Sequence, residues 1–209
     1  MDDISQRAPA SPVPYFSQWE SPDRAEDILA GRLPLAEDPN WAKSGATDAA
    51  DYARWADHIC GMACLKMVLA ARTGRAPPLL ELARGATAHG GYVVEGEAIK
   101  GLIYAPFVAF VRAEFGLSAQ IVTGITARGI PGILRGAQFF IASVHPSIRR
   151  PETEAPAKGG HLVLVHGFED GRLVFHNPSG HDRAAREAVA LPVETFDRFF
   201  AGRGIAILP

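Results

Sequence analysis

The chain has 209 residues, 47% hydrophobic and 21% charged, with 21 Lys and Arg against 23 Asp and Glu for a formal net charge of −2. That size and apolar content suit one globular domain with a sizeable core, and the near-neutral balance lacks the basic stripe of a nucleic-acid binder. No apolar run reaches the roughly 18 residues of a bilayer-spanning helix, and the acidic, then Pro-containing N-terminus has no signal-peptide pattern.

These features, with only two cysteines, point to a cytoplasmic protein with reduced thiols and no membrane partner. Met1–Pro14 reads as a flexible lead-in ending in a short extended segment, VPYFSQ. Residues 19–57 are acidic and irregular, without a long apolar stripe, and read as a surface insertion with short helices. In HICGMACLKMVLAA, starting at His58, the residues Cys60, Ala63, Cys64, Met67, Val68 and Ala71 fall on one face of a helix. Asp57 is its expected N-cap and Gly74 its expected stop. A second helix, LLELARGATA, follows Pro77-Pro78; another is expected over AIKGLIYAPFVAFVRAEFG in two pieces divided near Pro106, and a shorter one around TARGIPGILRG.

The period then changes. AQFFIASVH, GHLVLVHGFED and RLVFHNP are β-branched and aromatic runs, the last two joined by the hairpin signal Glu169-Asp170-Gly171. ETFDRFFAG reads as a short helix and GIAILP as a closing strand. Helices first and antiparallel strands afterwards make an α+β fold. There is no internal repeat and no glycine motif of the phosphate-cradling kind.

A cysteine at a helix start lies beside unpaired N–H groups and the positive end of the macrodipole, which favours the nucleophilic thiolate. Cys60 holds that place, with Gly61 beside it to admit a substrate, while Cys64 lies a turn deeper on the apolar face. The helix alone leaves open that both are small core residues. A nucleophile needs a base, and the base needs a group to hold its tautomer. His161 opens a strand after Gly159-Gly160, and Asn177 ends the strand returning across the hairpin, so the two should be neighbours. His166 and His176 compete as bases, although His166 should point to the opposite face of the strand from His161. Gln18 is the candidate side-chain donor for an oxyanion, with the Cys60 N–H as its partner. His58, Cys60 and Cys64 offer three metal ligands, but their spacing fits no common zinc framework, and neither metal nor cofactor is expected.

Taken together, CGMACLKMVL, GGHLVLVHGFEDGRLVFHNPSG and VPYFSQ resemble segments of papain-like cysteine peptidases of the bacteriocin-processing, double-glycine leader kind. They occur in that family's order. The resemblance implies a papain-like fold, with the nucleophile helix packed on a C-terminal antiparallel sheet. It implies Cys60 as nucleophile, His161 as base, Asn177 as orienting group, Gln18 as oxyanion donor and Cys64 as a second, non-catalytic cysteine. In the family the Gln lies a few residues before the Cys, whereas here residues 19–57 intervene, and Asn177 replaces the more usual Asp. The leader peptidases are commonly fused to membrane transporters, and this chain is too short for one, so a standalone hydrolase acting on a peptide or small amide is expected. Two other readings keep the fold: an acyltransferase or amide ligase that resolves the thioester with an amine, and a non-catalytic peptide-binding module. The polar loop at 146–160 is read either as a substrate-selecting gate or as a connector.

Overall fold

The computed structural model describes residues 13–209. The expected N-terminal lead-in, through Pro12, lies outside the described residues. Residues 19–57 form short helical turns around α1 (Ala25–Leu29) and α2 (Ala49–Ala56), as expected of that stretch. They are more than surface, however: Trp19, Ala25, Tyr52, Trp55 and Ala56 are buried in the main core. Tyr52, Trp55 and Ala56 stand at i, i+3 and i+4 and so share the inner face of α2. The buried Asp38 carboxylate ties the segment together, accepting from the Ser21 hydroxyl (2.5 Å), the Tyr52 hydroxyl (2.6 Å) and the Asn40 amide (2.9 Å).

The helix of the two cysteines is α3 (Cys60–Thr73), and Gly74 ends it in the left-handed region at φ 71°. It is buried on every side from Gly61 to Leu69, including Lys66, rather than on one stripe. Aromatic residues of the preceding segment cover the face that periodicity assigns to solvent, and the Lys66 ammonium lies over the Phe16 ring at 4.8 Å. Asp57 does not cap α3. It closes α2 and accepts from the Trp19 indole at 2.9 Å, leaving Ile59 at the N-cap without a side-chain bond.

After α4 (Leu79–Ala88), a small hairpin of β1 (Val93–Glu95) and β2 (Ala98–Lys100) leads into α5 (Tyr104–Phe115). The expected two-piece helix is therefore one helix preceded by a strand. Pro106 sits in its first turn, where its missing N–H has no intrahelical partner to lose. Next come β3 (Ala119–Thr123), α6 (Ile130–Leu134), β4 (Phe139–Val144), β5 (His161–Glu169) and β6 (Arg172–His176), then α7 (Arg183–Arg186), β7 (Val189–Pro192), α8 (Val193–Asp197) and β8 (Phe200–Ile207). β8 starts earlier than GIAILP and takes in residues of the expected ETFDRFFAG helix, which stops at Asp197.

Six strands form one antiparallel sheet in the order β3-β8-β4-β5-β6-β7. Strand alternation divides its side chains between two cores. Leu162, Leu164, Ile141 and Ile205 meet α3, whereas Val163, Val165, Phe140 and Ala142 meet Phe196 and Phe199 on the other face. This is the α+β layout of a helical N-terminal part on a C-terminal sheet. The 146–160 loop is anchored: Ile148 is buried, Arg150 pairs with Glu26 at 2.8 Å, and Arg198 donates to the Pro151 and Thr153 carbonyls. Among the described residues no helix is long and apolar enough to cross a membrane.

Candidate active site

Cys60 is the first residue of α3, so its amide and that of Gly61 have no carbonyl within the helix to bond. Its thiol is half-buried. Burial pushes it up to about 11, outweighing the amide hydrogen bonds from Leu162 and Gly61 that favour the thiolate. The helix start therefore does not by itself ionise this cysteine. Gly61 does not admit a substrate either, since a Cβ there would stand 2.8 Å from Leu102 Cδ2 and 3.0 Å from Leu162 Cδ1. Its bare Cα is what lets two leucines close over the helix. Cys64 is fully buried, its thiol directed to the Leu162 carbonyl at 3.7 Å, and burial raises it well above its ordinary value.

The hairpin turns through Asp170 and Gly171, both at positive φ (48° and 76°), in the Asp-Gly form that suits a tight two-residue connection. It brings His161 to Asn177: the imidazole Nε2 lies 2.9 Å from Asn177 Oδ1. The Ser179 backbone N–H donates to the same oxygen at 3.1 Å, which identifies that atom as the amide carbonyl. Nε2 must therefore carry the ring proton, and Nδ1 holds the lone pair. Ser179 Oγ is a second neighbour of Nε2 at 3.1 Å and itself accepts from the Arg149 guanidinium at 2.9 Å. Burial takes His161 down to about 4; the Asn177 bond opposes that shift, and the charges of Arg149 and His145 reinforce it. Burial thus disfavours the charged form of both groups, the thiolate and the imidazolium.

Cys60 and His161 line one cavity of about 290 Å³, together with Tyr104, Ser143 and Arg203. Gln18 is not among its lining residues. Gln18 is buried at one end of the hairpin, its backbone N–H donating to the Pro178 carbonyl at 3.0 Å, and its side-chain Oε1 has no partner among the described residues. His166 and His176 lie elsewhere, against each other with ring centroids 4.5 Å apart and planes tilted by 43°. His176 is fully engaged, with Nε2 bonded to the Val13 carbonyl at 2.9 Å and Nδ1 accepting from the Ala188 amide at 3.0 Å. Among the described residues no group of three or more His, Cys, Asp or Glu side chains is placed to hold a metal ion.

Sequence reasoning missed Ser179, Arg149, Tyr104, Ser143 and Arg203. Ser179 had a signal, since it follows the Asn177-Pro178 turn. Gly180 beside it allows a close approach, because a Cβ there would lie 2.3 Å from the Ala185 carbonyl oxygen. The other four come from separate segments with no shared motif.

No protein-family model matches the chain, and no curated protein matches it. Solved structures do. The peptidase domain of Streptococcus ComA, a bifunctional ABC transporter of a quorum-sensing pathway, is similar over 72% of this chain and 91% of its own, at 18% identity and a TM-score of 0.50. A Bacillus anthracis protein named as a C39-like peptidase is similar over 73% of this chain and 90% of its own, at 16% identity and a TM-score of 0.50. A double-glycine motif protease from an AMS/PCAT transporter, solved with its leader peptide, covers 72% of this chain and 84% of its own at 21% identity and a TM-score of 0.48. The chain has the papain-like fold of the C39 peptidase domains.

Proposed function

We propose that this protein is a cysteine peptidase or amidase that cleaves a peptide or small-molecule amide through a thioester on Cys60. The reading is carried by one observation: the 2.9 Å bond that fixes the His161 tautomer on Asn177, in a cavity that Cys60 also lines. His161 Nδ1 takes the thiol proton as sulfur attacks the amide carbonyl, so charge separates only as the new C–S bond forms. The Cys60 backbone N–H, free at the helix start, stabilises the oxyanion, and the Gln18 side-chain amide is given the same task on its place in the order Gln, Cys, His, Asn alone, since it does not line the cavity. The C–N bond then breaks, and the imidazolium returns its proton to the leaving amine. Water, deprotonated by the same imidazole, attacks the thioester and frees the acid and the thiol. Asn177 orients the ring throughout without supplying charge.

The test is a peptide mixture incubated with wild type, Cys60→Ala and Cys64→Ala, with new termini read by mass spectrometry. Cleavage by wild type and Cys64→Ala, and its loss in Cys60→Ala, is the expected result. Cleavage by folded Cys60→Ala contradicts the proposal.

A further inference from the structure

We infer that the cavity beside Cys60 contains a carboxylate-recognising subsite centred on Arg203, so that the substrate carries a carboxylate next to the amide that is cleaved. This rests on the cysteine-peptidase reading above and names its substrate class. Arg203 is the cavity's formally charged lining residue, and no Asp or Glu lines it. The Tyr104 hydroxyl lies against both the Ser143 hydroxyl and the Arg203 guanidinium, so three donor groups face one small space. A planar guanidinium flanked by hydroxyls matches the two oxygens of a carboxylate, the anion that peptides carry. Among the described residues no ion pair neutralises Arg203, whereas Arg186, near the same hairpin end, is paired with Asp23 at 2.8 Å.

The backbone is arranged to present this group. The β4–β8 ladder runs in register to Ala142 opposite Gly204, then shifts so that Val144 faces Phe200. Residues 201–203 of β8 stand opposite Ser143 alone, a surplus of two, and such an irregularity re-aims side chains. Gly159, at φ +87°, passes over the same cluster. A Cβ there would lie 3.4 Å from Ser143 Oγ and 3.6 Å from an Arg203 terminal nitrogen, and 3.2 Å from Ala201 Cβ. The loop that delivers His161 and the bulge that delivers Arg203 therefore meet at one wall of the cavity.

The test uses the full chain and two alkylating reagents that differ in charge. Iodoacetate carries a carboxylate and iodoacetamide does not; the rate at Cys60 is followed by peptide mapping, and each protein is reported as the ratio of the two rates. Taking the ratio cancels any general change in thiol reactivity. Arg203 is exposed and belongs to neither core, so Arg203→Gln keeps the fold. The wild-type ratio should exceed that of Arg203→Gln by about tenfold or more, the scale of a charge-assisted hydrogen bond. Equal ratios overturn the subsite and leave the nucleophile assignment standing. A Cys60 that neither reagent labels overturns that assignment and the subsite with it. Protection of Cys60 from iodoacetamide then identifies the source of the carboxylate. Protection by acetyl-trialanine with a free C-terminus assigns it to a peptide terminus. Protection by acetyl-Ala-Glu-Ala-amide assigns it to an acidic side chain. No advantage of either over acetyl-trialanine amide contradicts the inference.

Discussion

Replacing Asn177 by Asp puts a carboxylate oxygen about where Oδ1 now lies, 2.9 Å from His161 Nε2, at almost no change in side-chain size. With charge centres about 4 Å apart and an effective dielectric of about 20, its attraction for the imidazolium is about 4 kcal/mol. At about 1.36 kcal/mol per unit, that alone would raise the His161 pKa by about 3. Asn177 is completely buried, so desolvation of the new carboxylate offsets part of the gain, and the Arg149 charge beyond Ser179 competes for it. A net rise of about 1–2 units is expected, from a wild-type value of about 4. The sign follows from the role proposed for the ring: as the base, His161 must be neutral to accept the thiol proton, so a raised pKa moves the acid limb of kcat/KM to higher pH. NMR titration of the His161 Cε1–H in both proteins measures the shift directly. A His161 that titrates at the same or a lower pH in Asn177→Asp refutes the electrostatic reasoning.

In the wild type, kcat/KM should rise through about pH 4, where His161 becomes neutral, and fall through about pH 11, where the Cys60 thiol ionises and no imidazolium forms to protonate the leaving amine. An acid limb at the ordinary histidine value of about 6.5 would mean that His161 is solvated. Gly180→Ala places a methyl 2.3 Å from the Ala185 carbonyl oxygen, a backbone atom that cannot rotate away. Urea unfolding should show a loss of about 1–3 kcal/mol, with reduced kcat as Asn177 and Ser179 shift; unchanged stability would mean that the 182–186 turn yields freely. Gln18→Ala should lower kcat by about 10²-fold with little change in KM, as expected for a donor that acts on the developing oxyanion. A change confined to KM would remove Gln18 from that role.

The parts of this molecule legible from sequence are those encoded locally. The β5–β6 hairpin follows from alternation plus Asp170-Gly171, and with it the neighbourhood of His161 and Asn177. The end of α3 is equally plain from Gly74, whereas its start lies beyond the expected Asp57 cap. What periodicity does not report is what covers the other face of a helix, and α3 is enclosed because Trp19, Tyr52 and Trp55 arrive from a stretch with no continuous stripe. β3 and β7 escape notice because they are short edge strands, AQIVT and VALP, with one buried side chain, Leu191, between them. The cavity wall is the least legible part. Tyr104, Ser143 and Arg203 belong to a helix, an inner strand and a bulge, and only the sheet order brings them together. Burial is also a tertiary property, which is why the helix start suggests a thiolate while the enclosed site pushes the thiol the other way.

The central claim is that Cys60 is the atom that becomes acylated, and that His161 makes it so. It is tested most directly by incubating the protein with p-nitrophenyl acetate, quenching in acid and mapping the peptides. The account predicts an acetyl group on the sulfur of Cys60, none on Cys64, and a loss of that adduct in His161→Ala. Acylation of Cys64, or undiminished acylation of Cys60 without His161, would contradict it.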